Sequence, residues 1–329
     1  MIHVLALFRT NQLIFSFLVL PYLILVRISS FTDPIVAGKD GVGVFSQYLY
    51  QMVEINSFSA HIVALVLVFF QSVLINITAD RFKIFDEPNQ FAGLFYALLT
   101  SLIPDFLYLS PVLLANTFLI LAFYELCRVY DKKSGAAAVF NIGFFVAVAS
   151  LFYFSSMALV LLVIIGLTIQ RGLSFKELVM VLLGLVVPYF LLFTYYYWSD
   201  ATSLWYDAQF AKGIKWFAVY FPSDFYGLAK LLVVLLIVGL AIFNVGNLSI
   251  KRTIQIQKIQ QILFWWLLVI PFGLCFQASI HLDYLLFLML PLGFLVAYLF
   301  LGLKKQWADA LHIVCVTFVI VFQYIKYLL

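Results

Sequence analysis

Charge is what this chain has least of: Asp, Glu, Lys and Arg together make up only 10% of its 329 residues. Soluble domains carry about a quarter, so no water-facing globular unit is left over and residues 1–329 read as one integral membrane domain. No basic tract is long enough to track a phosphate backbone, which argues against a nucleic-acid partner. Cysteine is also scarce. Cys127, Cys275 and Cys315 each lie in or at the edge of an apolar run and are odd in number, which excludes a disulfide framework. The short catalytic signatures are missing as well: there is no phosphate-cradling glycine loop, HExxH, CxxC or GxSxG. A cleavable leader is a poor fit, because the apolar stretch after Arg9 exits through VRISSF without a small-x-small site, so this segment is expected to stay as a first helix. Two sequons, at Asn76 and Asn247, fall at expected inner helix ends and read as chance matches.

Apolar length dominates what is present. Hydrophobic residues make up 65%, the 36 Phe and 19 Tyr are unusually many, and mean hydropathy is +1.10. The expected fold class is an all-α polytopic bundle of about eleven spans (9–12): 11–27, 59–79, 91–106, 109–127, 136–153, 156–170, 177–198, 225–246, 262–279, 284–303 and 308–326. A perpendicular crossing takes ~20 residues, so the pairs 91–127 and 136–170 are candidates for broken or re-entrant helices. Aromatic clusters such as Tyr195–Trp198 and Trp265–Trp266 suit the headgroup level.

Bases set the orientation. With the N-terminus inside, Arg9, Arg81, Lys83, Arg128, Arg171, Lys176, Lys258 and most of the remaining Lys and Arg fall on the inner side, as the positive-inside rule requires. The outer side then holds most of the acids and two long loops, 28–58 and 199–224, both expected to be ordered. Residues 44–55 predict an amphipathic helix with Phe45, Leu49, Met52 and Val53 on one face and Gln47 and Glu54 on the other. Residues 249–261, basic and Ile-periodic, read as an interfacial lead-in to the ninth span.

The candidate chemistry sits on the outer side. Asp33, before Pro34, offers a carboxylate for proton transfer or a divalent metal, and reads equally as a turn; Asp40 in KDGVG is a turn signal with the same second reading. Lys39 lies between them. His61 opens the second span seven residues after Glu54, close enough to line one cavity with it. Asp105 follows Pro104 in a short turn near the membrane, where a carboxylate suggests function and a Pro-Asp helix start explains it equally. His281 and Asp283 in SIHLDY suit a shared ligand, or a helix entry capped by Asp283. Lys212 and Lys215 complete the set. Glu125, three residues before Arg128, reads as a snorkelling ion pair.

The stretches FDEPNQFAGLFYALLTSLIPDFLYLSPVLLAN (85–116) and NIGFFVAVASLFYFSSMALVLLVIIGLTIQR (141–171), with FKELVMVLLGLVVPYFLLFTYYYW after it, resemble an uncharacterised family of bacterial polytopic inner-membrane proteins. More distantly, the layout is similar to the GT-C superfamily of membrane glycosyltransferases. That resemblance implies a polyprenyl-phosphate sugar donor, an acid in the first outer loop (here Asp33 or Asp40), an amphipathic helix after it (44–55), and a site open to the outer face. It implies catalysis by Asp33 and Asp40, with Lys39, Glu54, His61, Asp105, Lys212, Lys215, His281 and Asp283 binding substrate and a divalent metal as a candidate cofactor. The loop carries no paired acid and no soluble domain follows the spans. The expected partners are membrane lipid and polyprenyl-phosphate. Rival readings are a non-catalytic subunit with protein partners in a cell-envelope assembly, and a transporter or flippase.

Overall fold

The computed structural model describes residues 4–9, 13–32, 43–53, 57–130, 135–211, 225–248, 253–273 and 282–325. Within them there are fourteen α-helices and no strand: α1 Val19–Val26, α2 Ser29–Thr32, α3 Val44–Met52, α4 Phe58–Arg81, α5 Phe91–Leu99, α6 Pro111–Arg128, α7 Gly135–Phe152, α8 Leu159–Arg171, α9 Phe175–Trp198, α10 Thr202–Tyr206, α11 Phe225–Leu248, α12 Ile254–Gly273, α13 Met289–Gly302 and α14 Lys305–Tyr324. Eight helices are long and apolar enough to cross a membrane, against the eleven expected. The difference has local causes. Leu13–Leu18 is 3-10 helix that leads into α1, leaving only a shorter apolar segment there, Phe15–Val26. Helix α5 has nine residues, about 14 Å of rise, and α12 spends its first two turns on Gln255, Gln257, Lys258, Gln260 and Gln261.

Serines start the long helices. Ser57, Ser110 and Ser174 each accept a hydrogen bond from a backbone N–H in the first turn, satisfying donors that a helix start leaves open. Ser174 and Glu177 form a reciprocal capping box, and Glu177 also pairs with Arg171. The 136–170 pair forms a complete hairpin of two 18-residue segments, Gly135–Phe152 and Phe154–Arg171. The 91–127 pair is a half-length helix followed by a turn and a full one.

Helix packing uses small residues and neutral polar contacts, as in lipid, where apolar burial alone does not favour helix association. A Cβ at Gly143 would strike the Val181 carbonyl, and one at Gly184 the Phe140 carbonyl, so α7 and α9 approach to backbone contact. Gln71, Tyr96 and Asn116 join α4, α5 and α6: Tyr96 Oη donates to Gln71 Oε1 (2.6 Å), Asn116 Nδ2 donates to Tyr96 Oη (2.8 Å), and Gln71 Nε2 donates to the Leu113 carbonyl (2.8 Å). Asn76 is buried and accepts from the Gly93 N–H at 2.7 Å, so the first sequon is a helix contact. The second cannot be placed this way, since the Asn247 side chain lies outside the description.

Three expectations are corrected. Met52 is 82% exposed while Val44 and Ser46 are buried, because α3 turns the Phe45–Leu49–Val53 stripe inward and leaves Met52 on the open side. Trp266 belongs to the core, with Nε1 donating to the Phe287 carbonyl at 3.1 Å, whereas Trp265 faces outward. The helix expected over 91–106 stops at Leu99.

Candidate functional site

The stop in α5 organises the site. Thr100 and Ser101 turn their hydroxyls back onto the Tyr96 and Ala97 carbonyls, and a 3-10 turn over Pro104–Phe106 carries the chain across to α6. A helix end and a turn at membrane depth are tolerated only inside protein. Arg27, at the C-terminal end of α1, supplies the cover. Its guanidinium, 1% exposed, donates to the Thr100 carbonyl (2.7 Å), to Ser101 Oγ (3.0 Å) and to the Phe106 carbonyl (3.4 Å). A cation at a helix C-terminus also meets the negative end of the dipole. Gln323 on α14 closes the ring by donating to the Val26 and Ser101 carbonyls.

Around this turn the structure gathers two of the expected acids. Asp105 pairs with Lys230 of α11 at 2.7 Å, with side chains 25% and 10% exposed, and the Lys230 ammonium stands 4.4 Å over the Tyr226 ring. Asp283, buried at the start of the 3-10 helix Leu282–Leu288, accepts from Tyr108 Oη at 3.4 Å. Burial pushes the Tyr108 phenol well above its ordinary pKa, with Asp283, Tyr50 and Asp105 adding to the shift. Tyr153, at the α7–α8 turn, is raised by burial and by Asp283 in the same way. Both phenols are therefore donors at neutral pH. Tyr153 packs against Tyr284 and Phe287, and its hydroxyl has no hydrogen-bond partner among the described residues.

His61 lies in the first turn of α4, 4% exposed, with its ring beside Phe31. The Leu107 backbone and Arg27 are near it, but neither ring nitrogen reaches hydrogen-bond geometry with a described residue. Asp33, Lys39, Asp40, Glu54, Lys212, Lys215 and His281 lie outside the described residues. Among the described residues no three of His, Cys, Asp and Glu stand together as metal ligands.

Sequence reasoning did not single out Arg27, Tyr108, Tyr153 or Lys230 for this cluster. Lys230 was legible only as a base near a span end, and nothing local marks it as the partner of Asp105. The opposite end of the bundle carries bases with structural partners: Arg9 over Phe91 at 5.5 Å, Lys258 donating to the Gln170 carbonyl at 2.5 Å, and Arg128 paired with Glu125 at 3.3 Å.

An apolar groove of about 440 Å³ runs between α5, α11, α13 and α14, lined by residues such as Leu98, Leu102, Leu236, Phe300, Val314 and Phe318. Its lining residue Val233 lies one turn along α11 from Lys230, and its lining residue Leu102 lies three residues before Asp105 with an extended Ile103 between them.

Residues 41–328 match the model of a family of unknown function, DUF6427. No curated protein and no solved structure matches the chain.

Proposed function

Because the chain belongs to that family of unknown function, with apolar helices that make it a multi-pass membrane protein, we propose from its site that it is a GT-C-like glycosyltransferase of the bacterial inner membrane, using a polyprenyl-phosphate sugar at the outer face. The observation that carries this reading is an apolar groove whose lining residues Leu102 and Val233 stand, in sequence, three residues from the two partners of the half-buried Asp105–Lys230 pair. A long isoprenoid tail needs an apolar channel open to lipid, and its phosphate needs a cation at the channel's polar end. The bases Arg9, Arg128, Arg171 and Lys258 at the other end support placing the Asp105 end outside.

In this reading the acceptor hydroxyl gives its proton to a carboxylate, Asp33 first and Asp40 second, as its oxygen bonds to the anomeric carbon. The bond from that carbon to the lipid phosphate breaks, and the electron pair stays on the phosphate. Lys230, one turn before the groove-lining Val233 on α11, is the first candidate to meet that growing charge, and His61, Lys39, Lys212, Lys215 and His281 are further candidates. Asp105 holds Lys230, while Asp283 orients Tyr108. The described residues bring together no ligand set for a divalent metal, so no step is assigned to one.

The test is to replace Asp33 and Asp40 by Asn, singly and together, in the native cell. A cell-surface glycan or glycoprotein is expected to disappear while membrane levels of the protein hold. Unchanged glycans at normal protein level overturn the reading.

A further inference from the structure

A second opening lies at the same end of the bundle. It is a cleft of about 620 Å³ between the open face of α3 and the chain leaving α9, within the usual range for small-molecule sites. Gln47, Tyr48 and Gln51 line one wall; Tyr195, Tyr196, Ser199 and Asp207 line the floor and the other wall.

The frame is well held. Gln209, fully buried in the π-helical turn Asp207–Ala211, accepts from the Val44 N–H (3.0 Å) and donates to the Ser150 carbonyl (2.8 Å) and to Tyr189 Oη (3.3 Å). One side chain thereby fixes the start of α3, the end of α7 and the middle of α9. Tyr196 Oη donates to Tyr48 Oη at 3.0 Å across the cleft floor. Asp200 takes φ +52 where the chain leaves α9, a left-handed turn that swings Ala201–Ala211 back over the opening.

The lining is specific in type. Among the described residues it offers two primary amides, a hydroxyl, phenol faces, one carboxylate and no Lys, Arg or His. Amides and a carboxylate bond vicinal hydroxyls as paired donors and acceptors, and tyrosine rings cover the apolar C–H faces of a pyranose. Among the described lining residues a phosphorylated ligand meets Asp207 and no cation. An ammonium finds only that carboxylate, with Tyr195 and Tyr196 at 89° to each other and the Tyr196 hydroxyl already engaged.

We propose that this cleft is a saccharide-binding subsite for a neutral glycan drawn from the aqueous side. Its role as the acceptor subsite of the transferase rests on the reading above; its binding chemistry does not.

The full chain in lipid nanodiscs, without any lipid-linked sugar, is titrated with maltohexaose, cellohexaose and chitohexaose, and with choline as the cationic alternative, by saturation-transfer NMR. At least one hexasaccharide is expected to bind. Gln47→Ala and Gln51→Ala, on the open face of α3 where the fold does not need them, should each weaken binding roughly fivefold, as the loss of a hydrogen bond does. Tyr48→Phe should keep the ring contact that Tyr48→Ala loses. If no hexasaccharide binds, or if binding is unchanged in the Gln47→Ala/Gln51→Ala double variant, the subsite is overturned. Binding here with unchanged cellular glycans in the Asp33 and Asp40 variants would sink the transferase reading alone.

Discussion

The same substitution, glycine to alanine, should have opposite consequences at Gly184 and Gly239, and the contrast tests whether α7 and α9 are in backbone contact. Gly239 lies in the middle of α11 with nothing within 4 Å of where a Cβ would stand. Alanine there gains only helix propensity, ~0.5–1 kcal/mol. At Gly184 the added methyl meets the Phe140 carbonyl oxygen and stands 2.9 Å from the Phe144 nitrogen. Both are backbone atoms of α7, held by their own helix, so neither can swing aside and the two helices must separate. Overpacking of this kind costs ~1–3 kcal/mol. The two variants should therefore differ by about 2 kcal/mol, or about 3 °C in melting midpoint for a chain of this length, with Gly239→Ala at or above wild type. Fluorescence-detected size-exclusion chromatography after graded heating in one detergent reads this directly. Gly143→Ala should behave like Gly184→Ala, since its methyl would meet the Val181 carbonyl and stand 3.2 Å from the Leu185 nitrogen. The double variant should fall short of the sum, because helices already parted by one methyl accommodate the second more easily. Equal midpoints for Gly184→Ala and Gly239→Ala would refute the close approach.

Three further outcomes follow from the site. Replacing Arg27 by Met leaves the Thr100 and Phe106 carbonyls buried without their donor; even after relief of the buried charge this should cost ~2–4 kcal/mol, and a melting midpoint within 1 °C of wild type would contradict the capping role. Asp105→Asn and Lys230→Met should each destabilise more than the double variant does, with a coupling of ~1–3 kcal/mol in a double-mutant cycle; additive effects would show that the pair is not an interaction. Tyr108, whose folded pKa is raised by burial, keeps its proton above pH 10, where the unfolded phenol at ~10 loses its own. The unfolded state then binds fewer protons, so the stability present below pH 10 is lost as pH climbs from there toward the folded value. Tyr108→Phe should flatten that alkaline decline in melting midpoint between pH 9 and pH 11.

What the sequence made legible is what local physics decides. Most of the apolar runs became helices, and residues 44–52 became an amphipathic helix whose Phe45 packs on Phe152 at 5.1 Å. Glu125 and Arg128 form the expected pair. The early end of α5 was not legible, since FAGLFYALLTSLI contains no proline and its one glycine stands inside the helix. The helix stops because Thr100 and Ser101 bond back onto it and because Arg27 takes the Thr100 carbonyl from 73 residues away. Lys230 and Asp105 likewise meet only through tertiary packing. The site was legible as a face and two carboxylates, Asp105 and Asp283; their partners Lys230 and Tyr108 come from other helices, at separations no spacing rule reaches. Met52 was misplaced because it is the last residue of a nine-residue helix, about two and a half turns, too few positions for the apolar pattern to fix which way the end of the helix faces.

Two kinds of polar group are buried in this bundle, and the difference between them bears on function. Gln71, Tyr96, Asn116 and Asn76 are neutral, they join α4, α5 and α6, and their contacts suffice to hold helices together in lipid. The groups around the α5 stop are mostly ionic or beside an ion: Arg27, Asp105 with Lys230, and Asp283 with Tyr108. Taking such charges out of water costs several kcal/mol per ion and is repaid only in part by pairing. A bundle that needed only to stay folded would gain by replacing them with amides or apolar side chains of the same size. They stand instead around the end of the nine-residue helix α5, where the chain turns toward α6. Carboxylates kept at that cost between apolar helices are the first place to look for charge handling. The cost is concentrated around the end of α5, and it is absent from the neutral α4–α5–α6 contacts that hold the bundle together.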